Sequence, residues 1–375
     1  MKKFNIIFSI LFLLIIFGFF FVDIFTPDEV FSYSENRTLQ QSPELSWKTL
    51  SDASYMKDME VYVNDQMQLR DEFVKLSTYF KLFLGQREIN DVYICDDYLI
   101  EKFTDSMIDK DLLEQNKGFI NTFLSNHSNA YIGLIPTSTE ILGHKLSKYT
   151  TNVNQLDLIN NIYGDNQSID IYSKLMGYNT ENIYYRTDHH WTTLGAYYGY
   201  LAICEELGLN AISLNDFDVS VIDDEFSGTI QSKVNIDVGY DTLYKYTPKG
   251  YTLSYTRIVN EIYQQSSDSL YDESKLKTKE KYAVYVGGNN GVVRILTEGG
   301  KEDNGRLLVI KDSFTHCLAP FLTNHYSEIV LLDLRYFNAG VEFFLKSEKE
   351  DFDDILVLYN LKNFVEDRNI IKINK

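Results

Sequence analysis

The stretch RLLVIKDSFTHCLAPFL, residues 306–322, joins an apolar run to the start of an amphipathic helix. The runs EIVLLDL (328–334) and DILVLYN (354–360) are equally continuous in their apolar character. Strands that are buried on both faces have this pattern, whereas strands with one wet face alternate. The sequence therefore predicts an α/β protein with a parallel sheet flanked by helices. Because ligands bind at the carboxyl ends of such strands, the residues that follow these runs are candidates for a site.

Shorter segments extend the predicted β structure. The runs VYIC (92–95), AYIGLIP (130–136) and YAVYV (282–286) are rich in strand-forming residues. Residues 211–275 alternate Tyr, Thr, Val and Ser with turn residues, which predicts a hairpin-rich β insertion within a main domain over residues 90–375.

The N-terminus carries a single long apolar segment. Lys2 and Lys3 precede an almost wholly apolar run from Phe4 to Val22, which as a helix spans most of a hydrocarbon core about 30 Å thick. The two lysines place the N-terminus in the cytoplasm, and no small-x-small cleavage site follows. The sequence predicts an uncleaved transmembrane signal anchor over residues 1–25, with the rest of the chain outside the cytoplasm.

Residues 26–89 are predicted to connect this anchor to the main domain. Residues 26–50 contain prolines and many polar residues without a clear period, which indicates a tether. From residue 52 to 84, apolar residues recur at three- and four-residue steps, which predicts one amphipathic helix ended by Gly85. A helix that packs on the main domain is favoured over one that lies on the membrane surface.

The composition argues against two classes of protein. Lys and Arg number 35 against 54 Asp and Glu, a formal net charge of −19, whereas nucleic-acid binders carry a basic face. The cysteines, Cys95, Cys204 and Cys317, are isolated in the sequence, so neither a disulfide framework nor a thiolate zinc site is expected.

Ser313 lies where the apolar run 306–310 passes into a helix. A serine at such a junction presents its hydroxyl at the edge of the sheet, next to backbone N–H groups that can stabilise an oxyanion. The hydroxyl is a weak nucleophile without a neighbouring base. Alternatively, Asp312 or Ser313 only caps the helix, and on this stretch alone the cap is favoured.

The stretch TDHHW, residues 187–191, supplies the missing base. His190 is the type of side chain that accepts a proton near neutral pH, and Asp188 is placed to orient its ring. Trp191 is expected to form a packing wall and His189 to be a core histidine. A metal site is disfavoured, because adjacent side chains diverge and no second ligand pair completes the set.

Together, TDHHW and the downstream KDSF resemble the DHHW family of bacterial exported proteins, which are similar to the SGNH-like O-acetyltransferases of the alginate acetylation machinery. The order of further segments agrees with the family. These segments are SENRTLQQSPELSWKTL (34–50), VYICDDYLIEKF (92–103), LIPTSTEIL (134–142), EFSGTIQSK (225–233) and VLLDLRYF (330–337).

The resemblance implies an SGNH-hydrolase-like catalytic domain and a Ser-His-Asp triad in which the Asp-x-His pair precedes the serine. Ser313 is then the nucleophile, His190 the base and Asp188 the orienting carboxylate. Lys311 replaces the glycine of the usual Gly-Asp-Ser motif and offers local positive charge. The resemblance also implies a multi-pass membrane O-acyltransferase partner that supplies acetyl groups, and no metal or organic cofactor.

Four residues are candidates for substrate binding: Arg335, Lys311, Asn289 and Trp191. A salt bridge with Asp333 is the favoured alternative for Arg335. Asn289 and Asn360 are candidates for the oxyanion site, and each is equally well a turn or strand-end residue.

The leading function is acetyl transfer onto a cell-envelope or exported polysaccharide through an acetyl-serine intermediate. An esterase uses the same triad with water as acceptor, and the sequence does not separate the two. A non-catalytic polysaccharide-binding or scaffold protein is the alternative from another class, and the 28 tyrosines would serve it too. Convergence of Asp188, His190 and Ser313 within hydrogen-bonding reach would favour an enzyme.

Overall fold

The computed structural model describes residues 2–32, 37–259, 265–302 and 304–375. These residues divide into two compact units. The first comprises Met1–Asn90 and Gln231–Asp237, and the second comprises Asp91–Ile230 and Val238–Lys375.

The regular elements are numbered in chain order. The described helices are α1 (Lys2–Phe25), α2 (Trp47–Ser51), α3 (Ser54–Gln66), α4 (Arg70–Phe83), α5 (Lys110–Asn126), α6 (Ser138–Ile141), α7 (Gln155–Tyr163), α8 (Ile171–Met176), α9 (Thr193–Leu207), α10 (Thr229–Val234), α11 (Ala319–Leu322), α12 (Val341–Ser347) and α13 (Leu361–Glu366). The described strands are β1 (Phe31–Ser32), β2 (Arg37–Thr38), β3 (Glu88–Ile89), β4 (Val92–Cys95), β5 (Tyr98–Glu101), β6 (Ala130–Ile135), β7 (Ser168–Ile169), β8 (Phe217–Phe226), β9 (Asp241–Pro248), β10 (Ser254–Val259), β11 (Gln265–Ser267), β12 (Val292–Glu298), β13 (Arg306–Lys311), β14 (Glu328–Leu332) and β15 (Asp354–Asn360). Short 3-10 turns are formed by Asp105–Met107, Gly143–Lys145, Leu214–Asp216, Glu273–Lys277, Lys281–Val284, Ser313–His316 and Ile370–Asn374.

The first unit begins with the predicted apolar helix. Within α1, the window Phe4–Asp23 is long and apolar enough to cross a membrane, and none of it is buried. A helix of this kind without a protein core around it is a candidate membrane anchor. The prediction of one long apolar helix at the N-terminus is therefore confirmed, and its role as a membrane anchor stays a prediction.

The predicted tether over residues 26–50 contains more order than its composition indicates. Strands β1 and β2 pair antiparallel, and α2 follows them. Arg37 forms an ion pair of 2.6 Å with Asp65 of α3, and Asp65 also accepts the backbone N–H of Gln40 at 2.8 Å. These polar contacts give the segment its order without an apolar pattern, and the prediction that it tethers the main domain to the anchor stays a prediction. Residues 34–36 of the family-like segment lie outside the described residues.

The helix predicted over residues 52–84 is divided into α3 and α4. The break falls at Leu69, whose φ of +59° is left-handed. There the backbone N–H of Gln68 donates to Asp23 Oδ1 at 2.9 Å, a bond that an uninterrupted helix would not make. Gly85, with φ of +87°, follows the end of α4 as predicted. Apolar residues of α4, including Phe80 and Phe83, are exposed.

The second unit is built on one mixed sheet. Among the described residues its strand order is β11-β10-β12-β14-β13-β15-β6-β7. The five strands from β14 to β7 are parallel, whereas β12, β10 and β11 are joined antiparallel. The predicted α/β class is confirmed, but the sheet is not purely parallel. Part of the predicted insertion over 211–275 is β10 and β11, which extend the sheet, whereas β8 and β9 form a separate hairpin.

The apolar run that predicted β13 is continuous because both faces of this central strand are covered. Leu307 and Val309 belong to the apolar layer on one face of the sheet, and Leu308 and Ile310 to the layer on the other. Helices α8, α9 and α11 contribute to the first layer, and α5, α7, α12 and α13 to the second. Successive side chains of a strand point to opposite faces, so both must be apolar when both faces are covered.

Two of the predicted strands differ in the structure. VYIC forms β4, but its partner β5 pairs with it in a separate antiparallel hairpin rather than in the main sheet. YAVYV is not a strand, because Lys281–Val284 forms a 3-10 turn and Val286 has a left-handed φ of +50°. This turn buries Tyr282 and Tyr285 in the first apolar layer.

Candidate active site

Ser313 lies at the carboxyl end of β13, on a turn held by Asp312. One carboxylate oxygen of Asp312 accepts the backbone N–H of Phe314 at 2.9 Å. The other accepts the backbone N–H of Asn360 at 2.8 Å and the side-chain amide of Asn363 at 2.7 Å. Asp312 therefore ties the turn to the neighbouring parallel strand β15. The backbone N–H of Phe314 donates to this cap. It is therefore not available to an oxyanion, although the sequence predicted free N–H groups at this helix start.

His190 lies on a tight turn that precedes α9. Tyr184 and Trp191 form an antiparallel bridge, and the backbone N–H of Tyr185 donates to the carbonyl of His190 at 3.2 Å. Helix α9 packs directly against this turn. A Cβ on Gly195 would lie 2.2 Å from the carbonyl oxygen of Ile183, so the close approach requires glycine there.

The two turns place Asp188, His190 and Ser313 in one hydrogen-bonded chain. His190 Nε2 lies 2.7 Å from Ser313 Oγ, and His190 Nδ1 lies 2.5 Å from Asp188 Oδ1. All three residues belong to the second unit and are almost buried, with Ser313 8% exposed and His190 6% exposed. In this arrangement the imidazole can take the serine proton while the carboxylate stabilises the resulting imidazolium.

Thr229 orients the carboxylate of Asp188 from the other side. Its backbone N–H and its hydroxyl donate to Asp188 Oδ2 at 2.8 and 3.0 Å. The preceding Gly228 is in such close contact that a Cβ there would lie 2.2 Å from the Asp188 Cβ. Sequence reasoning did not identify Thr229 as a site residue, although the EFSGTIQSK segment contains it.

The electrostatics of the chain favour a neutral base and a charged carboxylate. Burial opposes ionisation of Asp188, but the adjacent His189 and His190 and the hydrogen bonds from His190 and Thr229 hold the pKa of Asp188 well below its ordinary value. Burial and the neighbouring His189 lower the pKa of His190 to about 4, although Asp188 opposes this shift. At neutral pH His190 is therefore uncharged and able to accept a proton.

Two aromatic side chains that sequence reasoning missed enclose the imidazole. Tyr282 stacks on His190 with ring centroids 3.9 Å apart and an angle of 14° between the planes. Its hydroxyl donates to the backbone carbonyl of Ser313 at 3.3 Å. Phe314 lies on His190 with centroids 4.8 Å apart. Tyr282 lies in the segment predicted as a strand, so its role was not visible in the pattern.

His189 is not the core histidine that was expected. Its side chain keeps 31% of its surface exposed. Its Nδ1 lies 2.8 Å from the hydroxyl of Thr229, which already donates to Asp188, so His189 is the donor in this contact. The His189 ring lies beside that of His190, with ring centroids 4.0 Å apart, so His189 borders the hydrogen-bonded chain of Asp188, His190 and Ser313 on its partly exposed side.

A metal at this turn would compete with the hydrogen-bonded chain of Asp188, His190 and Ser313. Ligand atoms of Asp188, His189 and His190 lie within 4.8 Å of one another. Both ring nitrogens of His190 already have hydrogen-bond partners, in Asp188 and Ser313. A metal bound to His190 would therefore displace one of them. The prediction that this turn holds no metal stays a prediction.

Lys311 lies beneath the site rather than at its surface. Its side chain is 1% exposed, and its ammonium group donates to Asp333 Oδ2 at 3.1 Å and lies 2.8 Å from His316 Nε2. Direct contact with a substrate, which the sequence suggested, does not fit this burial. Burial lowers the pKa of Lys311, and Asp333 opposes that shift.

Arg335 and Asn289 are the exposed members of the predicted substrate-binding set. Arg335 binds both carboxylate oxygens of Asp333, through Nε at 2.9 Å and Nη2 at 2.7 Å, which is the salt bridge that the sequence favoured. Nη2 also donates to Asn289 Oδ1 at 3.3 Å. About 31% of the Arg335 side chain remains accessible, so it can still meet a ligand.

The other predicted binding residues have structural contacts. Trp191 is fully buried, and its indole N–H donates to the carbonyl of Phe314 at 2.9 Å. It therefore joins the two turns as a packing wall and does not reach a substrate. The side-chain amide of Asn360 donates to the Ile135 carbonyl at 3.1 Å, which joins β15 to β6 rather than serving an oxyanion.

Known proteins share this fold. The crystal structure of a DHHW family protein from Eubacterium siraeum matches with a TM-score of 0.63 and 23% identity, over 77% of this chain and 96% of that chain. Bacillus cereus PatB1, solved with a sulfonyl adduct, matches with a TM-score of 0.61 and 23% identity, over 76% of this chain and 98% of that chain. At this identity the likeness shows the fold alone.

A more distant match is the O-acetyltransferase domain of Pseudomonas putida AlgJ, with a TM-score of 0.44 and 14% identity over 72% of this chain and 91% of that chain. Similarity at that level carries no argument about function. No curated protein sequence matches the chain. The sequence model of the DHHW proteins matches residues 86–332, which include Asp188, His190 and Ser313. The match spans more than half of the sequence and confirms the resemblance seen there: the chain belongs to the DHHW family.

Proposed function

We propose that the protein is a membrane-anchored, extracytoplasmic O-acetyltransferase that acts on a cell-envelope or exported polysaccharide. The observation that carries the proposal is the hydrogen-bonded chain from Asp188 through His190 to Ser313 at the carboxyl edge of the sheet. A binding protein has no need of a neutral, buried imidazole between a serine and a carboxylate. The convergence therefore favours an enzyme over a scaffold.

The reaction proceeds in two balanced steps. Ser313 Oγ attacks the carbonyl carbon of an acetyl donor while His190 Nε2 takes the serine proton. The imidazolium then protonates the leaving group as its bond to the acetyl carbon breaks, which leaves an acetyl-serine. In the second step His190 takes the proton of a sugar hydroxyl that attacks the acetyl carbon. The serine recovers a proton from His190 as the sugar ester departs.

The fold is consistent with an SGNH-like catalytic domain in which the Asp-x-His pair precedes the serine. The strands β14, β13, β15 and β6 are parallel, and the serine turn follows β13 at their carboxyl ends, where open α/β sheets bind ligands. In this proposal Ser313 is the nucleophile, His190 is the base and Asp188 is the carboxylate that orients His190.

The acceptor and the donor follow from location and from the resemblance. When Lys2 and Lys3 stay in the cytoplasm, the catalytic unit that follows α1 lies on the other side of the membrane. There it meets cell-envelope and exported polymers. Activated acetyl thioesters do not cross a membrane unaided. A multi-pass membrane O-acyltransferase is therefore the proposed source of acetyl groups.

The proposal is tested with the full-length protein in nanodiscs, supplied with a chromogenic acetyl ester and a panel of neutral and amino-sugar oligosaccharides. Ester cleavage and the mass of each oligosaccharide are followed together. Serine-dependent acetylation of a sugar supports the transferase. Serine-dependent release of acetate alone moves the assignment to an esterase.

A matched control is available in the same sheet. Ser327 immediately precedes β14, at the amino end of the parallel strands, and its hydroxyl donates to the carbonyl of Gly305. We expect Ser313→Ala to abolish cleavage and Ser327→Ala to retain it. Equal inertness of the wild type and Ser313→Ala towards every ester would favour the non-catalytic alternative.

A further inference from the structure

Helix α4 exposes its apolar face instead of burying it. Its residues Phe73, Leu76, Phe80 and Phe83 lie within one arc of about 100° at the helical spacing of roughly 100° per residue, and the N-cap residue Leu69 adds a fifth apolar side chain at the start of the helix. We call these five residues the apolar stripe. Each is between 44% and 85% exposed. Large aromatic and aliphatic side chains aligned and exposed in this way indicate a surface that binds something apolar.

The inner side of the same helix is polar or only partly apolar. Thr78 is buried, and Val74 and Leu82 are half-buried. The helix therefore buries a small residue and exposes its phenylalanines, which is the reverse of a helix that packs on a water-soluble core. Basic residues, including Lys75 and Lys81, lie outside the stripe, as in helices that lie along a membrane surface.

The stripe is continuous with the apolar helix α1. The rings of Phe19 and Phe73 lie with centroids 5.9 Å apart. The backbone N–H of Gln68 donates to the carboxylate of Asp23 at 2.9 Å. Asp23 is the last residue of the window that is apolar enough to span a membrane. These contacts fix the start of α4 at the end of the span.

The depth of the stripe follows from these contacts. Phe19 precedes Asp23 by one helical turn, which at 1.5 Å per residue is about 6 Å along α1. Amphipathic helices at a bilayer surface bury their apolar faces by about 5–10 Å. A bilayer that covers Phe19 therefore also reaches Phe73, and with it the start of the stripe.

We propose that α4 is an interfacial helix, which lies along the surface of the membrane that holds α1 and buries its apolar stripe in the lipid. The lipid bilayer is the proposed occupant, rather than a second copy of the chain, because α1 already brings the stripe to the bilayer boundary. The stripe thereby adds a second membrane contact to the single anchor. This inference does not depend on the acetyltransferase proposal.

The test uses tryptophan as a reporter in the full-length protein in nanodiscs. Phe80→Trp and Leu76→Trp place the reporter on the stripe, and Lys75→Trp places it on an exposed position outside the stripe as a matched control. Phospholipids brominated on their acyl chains quench from the lipid side, and iodide quenches from the water. The signal of the parent protein, which contains Trp47 and Trp191, is subtracted from each variant.

We expect lipid quenching of both stripe reporters to exceed that of Lys75→Trp roughly twofold or more, with the opposite order for iodide. Stripe reporters that iodide quenches and brominated lipid does not would overturn the proposal, because the stripe would then face water. Stripe reporters protected from both quenchers would also overturn it, in favour of a protein that covers α4.

Discussion

The imidazole of His190 and the phenol ring of Tyr282 are stacked nearly parallel, with centroids 3.9 Å apart and planes 14° apart. The same tyrosine hydroxyl donates to the backbone carbonyl of Ser313. One side chain thus covers the proposed base and contacts the turn that carries the proposed nucleophile. Burial of the imidazole is the first cause of the lowered pKa of His190, and Tyr282 provides part of that cover.

Tyr282 is predicted to act through its ring more than through its hydroxyl. Tyr282→Phe retains the stacked plane and loses only the neutral hydroxyl contacts with the Ser313 carbonyl and Cys317 Sγ, so we expect kcat/KM to change by less than about tenfold. Tyr282→Leu removes the plane and admits water, and we expect a loss of more than about tenfold together with a rise in the pKa of His190 towards its ordinary value. The pH profile of ester cleavage separates the two variants. A profile for Tyr282→Leu that coincides with that of the wild type would contradict this role.

The pH dependence of the wild type follows from the state of His190. The base must be neutral, and burial lowers the pKa of His190 to about 4. Ester cleavage is therefore expected to stay constant as the pH falls from 8 through the ordinary histidine range near 6.5, and to decline only as it approaches about 4. Stopped assays of kcat/KM across this pH range give the pH at which the rate falls to half of its maximum. A midpoint at or above 6.5 would show that Asp188 outweighs burial.

Asp188 is predicted to remain a carboxylate throughout that range, because the adjacent histidines and the Thr229 hydrogen bonds hold its pKa well below the ordinary value. Asp188→Asn removes the charge that stabilises the imidazolium and offers His190 the wrong hydrogen-bonding partner. We expect kcat to fall by about 10⁴-fold. A loss of less than about tenfold would mean that His190 does not need an orienting carboxylate.

Thr229 should be detectable as a positioning residue. Thr229→Val removes the hydroxyl that donates to Asp188 at 3.0 Å and accepts from His189. An unmet hydrogen bond to a charged group costs about 1.5–3 kcal/mol, which corresponds to a loss of roughly 10- to 100-fold in kcat if it falls on the transition state. Thr229→Ser restores the hydroxyl and should recover most of the rate. Failure of serine to rescue would assign Thr229 a packing role.

The buried charges beneath the site contribute to stability. Lys311→Met leaves the ion pair between Asp333 and Arg335 in place and removes the ammonium group that contacts Asp333 and His316. We expect the free energy of unfolding in urea to fall by roughly 3 kcal/mol. Lys174→Met, which breaks a part-exposed pair with Glu205, is the control and should cost less than about 1 kcal/mol. Equal costs would show that burial of Lys311 adds nothing.

The central strands of the sheet could be predicted from the sequence, because a strand that is buried on both faces must be apolar at every position. Strands β13, β14 and β15 are continuous apolar runs because a layer of helices covers each face. The antiparallel addition of β10, β11 and β12 was not predictable, since hydrophobic periodicity carries no information about strand direction. Residues 282–286 have the composition of a strand but form a turn, because their tyrosines pack around the site rather than in a sheet.

The proposed triad residues were identified by motif, whereas their supports were not. Asp188, His190 and Ser313 lie in two short, recognisable stretches. Thr229 and Tyr282 reach the same place from distant parts of the chain, and an isolated threonine or tyrosine carries no signal of its own. The close contact of Gly228 with Asp188 is the one local sign, because a glycine before a helix marks a tight approach. The sequence did not show that Lys311 is buried, because its burial depends on an ion pair with Asp333, which follows β14 and is distant in the sequence.

The measurement that tests the central claim most directly is the mass of the peptide containing Ser313 after brief exposure of the full-length protein to an acetyl ester and rapid acid quenching. The account predicts that this peptide gains one acetyl group on Ser313, and that the gain disappears when an accepting oligosaccharide is added before the quench. Rapid ester turnover without acetyl on Ser313, and with full activity in Ser313→Ala, would contradict it.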